Sequence, residues 1–191
     1  MKRIFLLKNN HQPTVIAPND FPNFLAWLPG SETVKIFEKD TENCTKILEE
    51  AELIFTLDFN AFHRTGEMEH TLVKLTAPFI MIDHHQKPDD YALYTYSDTS
   101  FGSTCEMVYN FISFLGKKED LDKTIATCIY TGILTDSGSF RFPGTTGNTH
   151  RIIAELIDLG VENTQIPVLL FDNSSYSRLQ LLGRALQNMK V

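Results

Sequence analysis

Acidic residues stand at the ends of three apolar stretches of this sequence, and one of them is followed by two histidines. The carboxylates belong to Asp58, Asp83 and Asp136, and the imidazoles belong to His84 and His85. Carboxylate and imidazole ligands together suit Mn²⁺, Zn²⁺ or Fe²⁺ better than Ca²⁺, which takes oxygen ligands almost alone. The combination predicts a site for a transition-metal ion.

Ordinary structural roles compete with that interpretation. A single Asp at the end of a strand more often forms a turn or caps a helix, and adjacent histidines are more often structural or at the surface. Three acidic ends in one chain are harder to explain in this way, so the residues alone leave the two interpretations evenly balanced. Three further histidines fit no such pattern and are treated as ordinary polar residues: His63, His70 and His150.

The elements that must position these residues alternate along the chain. Apolar runs typical of strands cover residues 14–18, 52–60, 78–85 and, as a shorter edge strand, 91–98. Helical patterns cover residues 41–51, 103–116, 118–138, 145–160 and 176–191. This alternation predicts an α/β fold with a doubly wound, mainly parallel sheet flanked by helices. Ligands bind at the carboxyl ends of the strands in such sheets, which is where Asp58 and Asp83 lie.

Composition limits the classes of function. The chain has 191 residues, of which 42% are hydrophobic, enough for one domain with a sizeable core. A net charge of −7 gives no electrostatic footprint for duplex DNA. Cys44, Cys105 and Cys128 are odd in number and widely spaced, which fits neither a disulfide framework nor a CxxC zinc site. With no predicted membrane span or cleavable signal, we expect a soluble cytoplasmic protein.

Three ordered motifs carry a resemblance to a known family. The segments TLDFN, IDHH and YTGILTDSGSF resemble the second, third and fourth motifs of the DHH phosphoesterases. That family includes RecJ-like exonucleases, nanoRNases, phosphoadenosine-phosphate (pAp) phosphatases and family II pyrophosphatases. The segment GSTCEMV is also similar to a helix start of the family, and the forms LDFN and TDSGSF are most similar to the nanoRNase and pAp phosphatase branch.

The resemblance implies a pair of Mn²⁺ ions that clamp a phosphate and activate a water for hydrolysis of a phosphoester. It implies that Asp58 is shared by both metals, and that His84 and Asp136 complete the shell of the second. Mg²⁺ and Co²⁺ are the alternative ions.

Catalytic roles follow from the same resemblance. Asp83 is expected to orient an imidazole, and His85 to donate a hydrogen bond or a proton to the phosphate. Ser103 and Thr104 are expected either to bind a substrate phosphate or to cap a helix, with capping favoured. Ser103 and Glu106 also have the spacing of a capping box.

The sequence departs from the family at both ends. No segment resembles the first motif, of the form DHPDGDAIGS, and none resembles the second, substrate-gripping DHHA1 domain. We therefore expect a partial DHH domain over residues 1–175, without its first strand, and a connector helix over 176–191 leading towards a DHHA1 domain. Three ligands hold one metal ion rather than two, which predicts weak or absent hydrolysis. An unpaired apolar strand edge further predicts homodimerisation or poor solubility.

These observations give a leading function and two alternatives. The leading hypothesis is a metal-dependent phosphoesterase acting on short oligoribonucleotides, on pAp, or on both. The first alternative is a non-catalytic fragment or oligomerisation module that keeps a one-metal half-site, and the second is a simple one-metal protein. The expected partners are a short oligoribonucleotide or small nucleotide and a second copy of the chain, with neither duplex DNA nor a membrane.

Overall fold

The computed structural model describes residues 2–172 and 176–189. The five strands are β1 (Ile16–Ala17), β2 (Lys35–Ile36), β3 (Ile54–Leu57), β4 (Phe79–Asp83) and β5 (Tyr94–Ser97). The first four helices are α1 (Lys2–Lys8), α2 (Thr41–Glu49), α3 (Glu69–Leu72) and α4 (Thr104–Phe114). The others are α5 (Lys123–Asp136), α6 (Gly147–Asp158), α7 (Gln165–Phe171) and α8 (Tyr176–Gln187). Short 3₁₀ segments cover Asn23–Leu25, Ser31–Thr33, Phe62–Met68 and Lys118–Asp120.

The main sheet has three parallel strands in the order β3–β4–β5. Leu57 pairs with Ile82, and Asp83 pairs with Ser97. The carboxyl ends of β3 and β4 therefore meet at one edge of the sheet, and the backbone N–H of Asp58 donates to the carbonyl of Ile82 at 3.2 Å. This register brings the first two acidic ends together, as the sequence predicted.

Strands β1 and β2 form a separate parallel pair. The strand expected over 14–18 shrinks to two residues, and its partner over 35–36 was not predicted because two residues show no periodicity. Within the described ranges, no strand pairing joins β1 and β2 to the main sheet. Homodimerisation through a strand edge stays a prediction.

Helices cover both faces of the main sheet. One core cluster packs α4, α5 and α6 against the strand residue Ile82 and holds the buried side chains Met107, Ile129 and Leu156. A second cluster, on Ile54 and Phe79, is completed by α2 and by the segment leading into α3. Apolar surface is therefore buried in two layers with the sheet between them, which confirms the α/β class with parallel strands flanked by helices.

Two predicted helices differ in detail. The segment 118–138 divides into a 3₁₀ turn and α5, because the Asp122 side chain caps α5 at the backbone N–H of Ile125. Ser103 caps α4 through the N–H of Cys105, but the expected capping box is wrong: the Glu106 carboxylate accepts hydrogen bonds from α6 instead. A capping box is formed at the start of α6 by other residues, Thr146 and Thr149.

The last helix, α8, carries its apolar side chains in exposed positions, among them Leu179, Leu182 and Leu186. The boundary expected at residue 175 and the last two residues of the expected connector lie outside the described residues, so the division into domain and connector stays a prediction. In the part of the chain that is described, no helix combines the length and apolar character needed to cross a membrane.

Candidate metal centre

Asp58 follows β3 directly and has a left-handed backbone, with φ of 65°. Such a conformation is uncommon for residues other than glycine and is enriched at functional sites. Its Oδ1 atom accepts a hydrogen bond from the hydroxyl of Thr104 at 2.9 Å, and its side chain is 52% exposed. The sheet thus presents this carboxylate at its edge, accessible from solvent.

His84 faces Asp58 from the end of the neighbouring strand. Its Nδ1 atom lies 3.1 Å from the carbonyl oxygen of Phe101, and its Nε2 atom lies 3.5 Å from Oδ1 of Asp58. A carbonyl only accepts, so Nδ1 carries the proton when the imidazole is neutral and Nε2 keeps its lone pair. This is the arrangement that proteins use to orient a metal-binding imidazole.

His85 is held by Asp83, whose side chain is fully buried. The Asp83 carboxylate accepts from the backbone N–H of His85 at 2.8 Å and from Nδ1 of the same residue at 2.8 Å. The imidazole rings of His84 and His85 pack edge to face, with 4.7 Å between their centroids. Both imidazoles therefore use Nδ1 for a fixed partner and have Nε2 available for a ligand.

Asp58, His84 and His85 form a cluster in which one ligand atom of each lies within 4.8 Å of the others. One carboxylate and two imidazoles suit a divalent transition metal, so the donor set fits such an ion. The sequence predicted Asp58 and His84 as ligands but gave His85 a role towards the substrate. The structure brings all three side chains together.

Asp136 ends α5, outside this three-residue cluster. Its Oδ2 atom accepts a hydrogen bond from the Ser103 hydroxyl at 3.0 Å. Burial raises the pKa of Asp136 above its ordinary value, and the nearby negative charge of Asp58 raises it further. A cation bound near Asp136 and Asp58 would offset this repulsion and favour the ionised form of both carboxylates.

Sequence reasoning missed Asn60, which connects the loops after β3 and β4. Asn60 is 1% exposed, and its side-chain amide donates to the carbonyls of His85 and Gln86 at 3.1 and 3.0 Å. The segment LDFN carries part of the family resemblance, but its residue types do not show which carbonyl groups the Asn60 side chain contacts. An Asn two residues after the site carboxylate was the available signal.

Comparison with known families decides the relationship of the chain. A family model described as "DHH family, N-terminal domain" matches residues 5–133. The chain belongs to the DHH family. The match contains the Asp58, His84 and His85 cluster and ends shortly before Asp136.

Two relatives of this DHH chain are bacterial NrnA proteins. It is 38% identical over 111 residues to the bifunctional oligoribonuclease and PAP phosphatase NrnA of Thermus thermophilus, covering 58% of this chain and 33% of that protein. It is 33% identical over 118 residues to the NrnA of Bacillus subtilis, covering 60% of this chain and 37% of that protein. The matches thus span about a third of the length of these two relatives.

A crystal structure shares the whole DHH fold described above. An exopolyphosphatase-related protein from Bacteroides fragilis superposes with a TM-score of 0.95 at 38% sequence identity. The superposition covers 98% of this chain and 55% of the other.

Proposed function

We propose that this DHH chain forms the metal-binding part of a phosphoesterase that hydrolyses short oligoribonucleotides, pAp, or both. The observation that carries the proposal is the cluster of Asp58, His84 and His85 at the carboxyl edge of the parallel sheet. The names of the NrnA relatives support the class of substrate. The free state of all three cysteines fits activity in a reducing cytoplasm.

Asp58, His84 and Asp136 would hold the metal, and Mn²⁺ is the ion that we propose. Nε2 of His84 and the carboxylate of Asp58 lie 3.5 Å apart, and a bound cation would relieve the repulsion between the charges of Asp58 and Asp136 that contributes to the raised pKa of Asp136. The bound ion would polarise the phosphate and lower the pKa of a water molecule.

His85 acts on the phosphate in this proposal. The buried Asp83 carboxylate accepts a hydrogen bond from Nδ1, which fixes the direction of Nε2, and donation from Nε2 uses the imidazolium form in which both ring nitrogens carry a proton. Nε2 then donates a hydrogen bond to a phosphate oxygen or a proton to the leaving oxygen. Asp83 contributes by holding this imidazole and does not contact the substrate.

Two alternative functions compete with this proposal, and one assay of metal binding and hydrolysis separates all three. A one-metal half-site without turnover would make the chain a binding module rather than an enzyme. A polyphosphate substrate is supported by the description of the Bacteroides fragilis protein as exopolyphosphatase-related. Both alternatives keep the cluster and differ in the chemistry that metal binding makes possible.

The test is a Mn²⁺ titration by calorimetry, with hydrolysis of pAp, a short oligoribonucleotide and inorganic polyphosphate measured on the same preparation. His84→Ala removes a proposed ligand, and His63→Ala is the matched control because His63 is an exposed imidazole outside the cluster. We expect His84→Ala to lose binding and turnover and His63→Ala to retain both.

The outcomes separate the alternatives. Binding and turnover of a nucleotide substrate, both lost in His84→Ala, support the phosphoesterase. Binding without turnover supports the half-site. Cleavage of polyphosphate alone supports the second substrate class. Mn²⁺ binding that is equal in His84→Ala and the unaltered chain contradicts the proposed metal centre.

A further inference from the structure

We propose that the first turn of α4 is a positioning device for the two metal-binding carboxylates. In this inference, which rests on the proposed metal centre, Thr104 sets the orientation of Asp58 and Ser103 sets the orientation of Asp136. Neither hydroxyl contacts the metal or the substrate. Their effect is to hold the two carboxylates at a fixed separation before the ion binds.

The hydrogen bonds of the two hydroxyls support this role directly. Thr104 Oγ1 donates to Asp58 Oδ1 at 2.9 Å, and Ser103 Oγ donates to Asp136 Oδ2 at 3.0 Å. Both donors are nearly fully buried, with 4% and 1% of their surfaces exposed. Each hydroxyl engages one oxygen of its carboxylate, which favours one side-chain rotamer and leaves the second oxygen available for a ligand.

Helix capping alone does not explain this pair. Ser103 caps α4 by accepting from the N–H of Cys105, and its hydroxyl proton is still available for Asp136 because a hydroxyl both donates and accepts. Thr104 lies inside the helix, and its hydroxyl has no part in the cap. Asp58 is half exposed, so without Thr104 its side chain would be free to change rotamer.

The turn that carries both hydroxyls is itself anchored. Glu106, 2% exposed, accepts from the Thr149 hydroxyl at 2.9 Å and from the Asn148 amide at 3.4 Å, which joins the first turns of α4 and α6. Just before the turn, a Cβ added to Gly102 would lie 2.9 Å from the carbonyl oxygen of Gly144, so the two backbones pack closely. Residues 102–106 thus connect α6, the end of α5 and the end of β3.

This assignment differs from both roles that the sequence left open for Ser103 and Thr104, which were helix capping, the favoured one, and contact with a substrate phosphate. Each hydroxyl has one proton to donate, and that proton is directed at a carboxylate. Partners that orient metal ligands in this way change metal affinity by about 10- to 100-fold when they are removed.

The experiment compares Mn²⁺ affinity in variants at Thr104. Thr104→Val removes the hydroxyl and keeps the shape, and Thr104→Ser keeps the hydroxyl. Thr65→Val is the matched control, since Thr65 is 2% exposed and donates to the backbone carbonyl of Phe62 at 2.7 Å. Free Mn²⁺ is measured by electron paramagnetic resonance, and Co²⁺-loaded protein by its visible absorption, which reports ligand geometry.

We expect Thr104→Val to weaken Mn²⁺ binding by about tenfold or more and to shift the Co²⁺ spectrum. Thr104→Ser and Thr65→Val should match the unaltered chain. Ser103→Gly removes the hydroxyl that contacts Asp136, and it should weaken Mn²⁺ binding by a similar factor. Helix α4 should still form in this variant, because Gly is tolerated at a helix N-cap. This variant decides the question if Thr104→Val does not fold.

Two results overturn the inference in distinguishable ways. If the unaltered chain binds Mn²⁺ and both Thr104→Val and Ser103→Gly bind it equally well, the positioning role fails while the metal centre stands. If the unaltered chain does not bind Mn²⁺, the metal centre fails and the positioning role fails with it.

Discussion

The Asp83 carboxylate holds the His85 imidazole two residues further along the chain, with 2.8 Å between Oδ2 of Asp83 and Nδ1 of His85. The other carboxylate oxygen accepts from the backbone N–H of His85, also at 2.8 Å. One buried side chain therefore fixes both the backbone and the ring of its neighbour. This geometry directs Nε2 of His85 through a contact between residues only two positions apart in the chain.

Asp83→Ala should destabilise the fold, because it leaves a backbone N–H and a ring N–H of His85 without their acceptor. We expect a loss of about 1–3 kcal/mol in the free energy of unfolding, measured by urea denaturation. Asp98→Ala is the matched control: Asp98 also accepts from the residue two positions later, through the N–H and hydroxyl of Ser100, but this contact is exposed. If both variants lose the same free energy of unfolding, burial of the Asp83 contact does not add to its contribution.

Asn60→Ala should loosen the loop that follows β4. The change removes the donors to the carbonyls of His85 and Gln86, so we expect a loss of about 1–3 kcal/mol and faster amide hydrogen exchange around residues 85–89. Asn43→Ala is the control, since Asn43 donates to Asp40 on the surface. Unchanged exchange in Asn60→Ala would show that the loop does not depend on this amide.

Gly132→Ala should separate α4 from α5. A Cβ at this position would lie 2.1 Å from Sγ of Cys105, so a side chain must move, and we expect a loss of about 1–3 kcal/mol. Gly183→Ala, in α8, meets nothing within 4 Å and should be neutral or stabilising by about 0.5–1 kcal/mol.

A double variant tests the cause of the Gly132 effect. Cys105→Ala combined with Gly132→Ala removes the clashing sulfur, and thermal denaturation should show recovery of part of the lost stability. If the double variant loses as much stability as the two single variants together, the clash of Gly132→Ala is with a group other than Cys105.

Cys105 should react slowly with alkylating reagents in the folded protein. Burial, together with the negative charges of Asp136 and Asp58, raises the pKa of its thiol to about 12. Only the thiolate reacts, and an ordinary thiol has a pKa near 8.5, so at pH 8.5 we expect alkylation roughly 1,000-fold slower than in denatured chain. Iodoacetamide labelling followed by peptide mass spectrometry measures the rate. Equal rates in folded and denatured protein would contradict the raised pKa.

The local pattern of the sequence was sufficient to predict the two strands that carry the site. The strands that end at Asp58 and Asp83 were predicted because short, continuous apolar runs between polar segments are typical of strands that are buried on both faces. Three motifs in fixed order were sufficient for the family, which the match over residues 5–133 shows. Strand β1 lies within the strand predicted over residues 14–18, whereas its two-residue partner β2 escaped prediction because it is too short to show a period.

The partner of each polar side chain was decided only by the tertiary structure. Glu106 has the spacing of a capping box, yet its carboxylate bonds to α6, because the packing of α4 on α6 brings a competing donor within reach. Ser103 and Thr104 meet two carboxylates that lie 33 and 46 residues away in the chain. A sequence determines which groups are available and which local structures they favour. Contacts between distant segments depend on how the helices pack on the sheet, and that packing exists only in the folded chain.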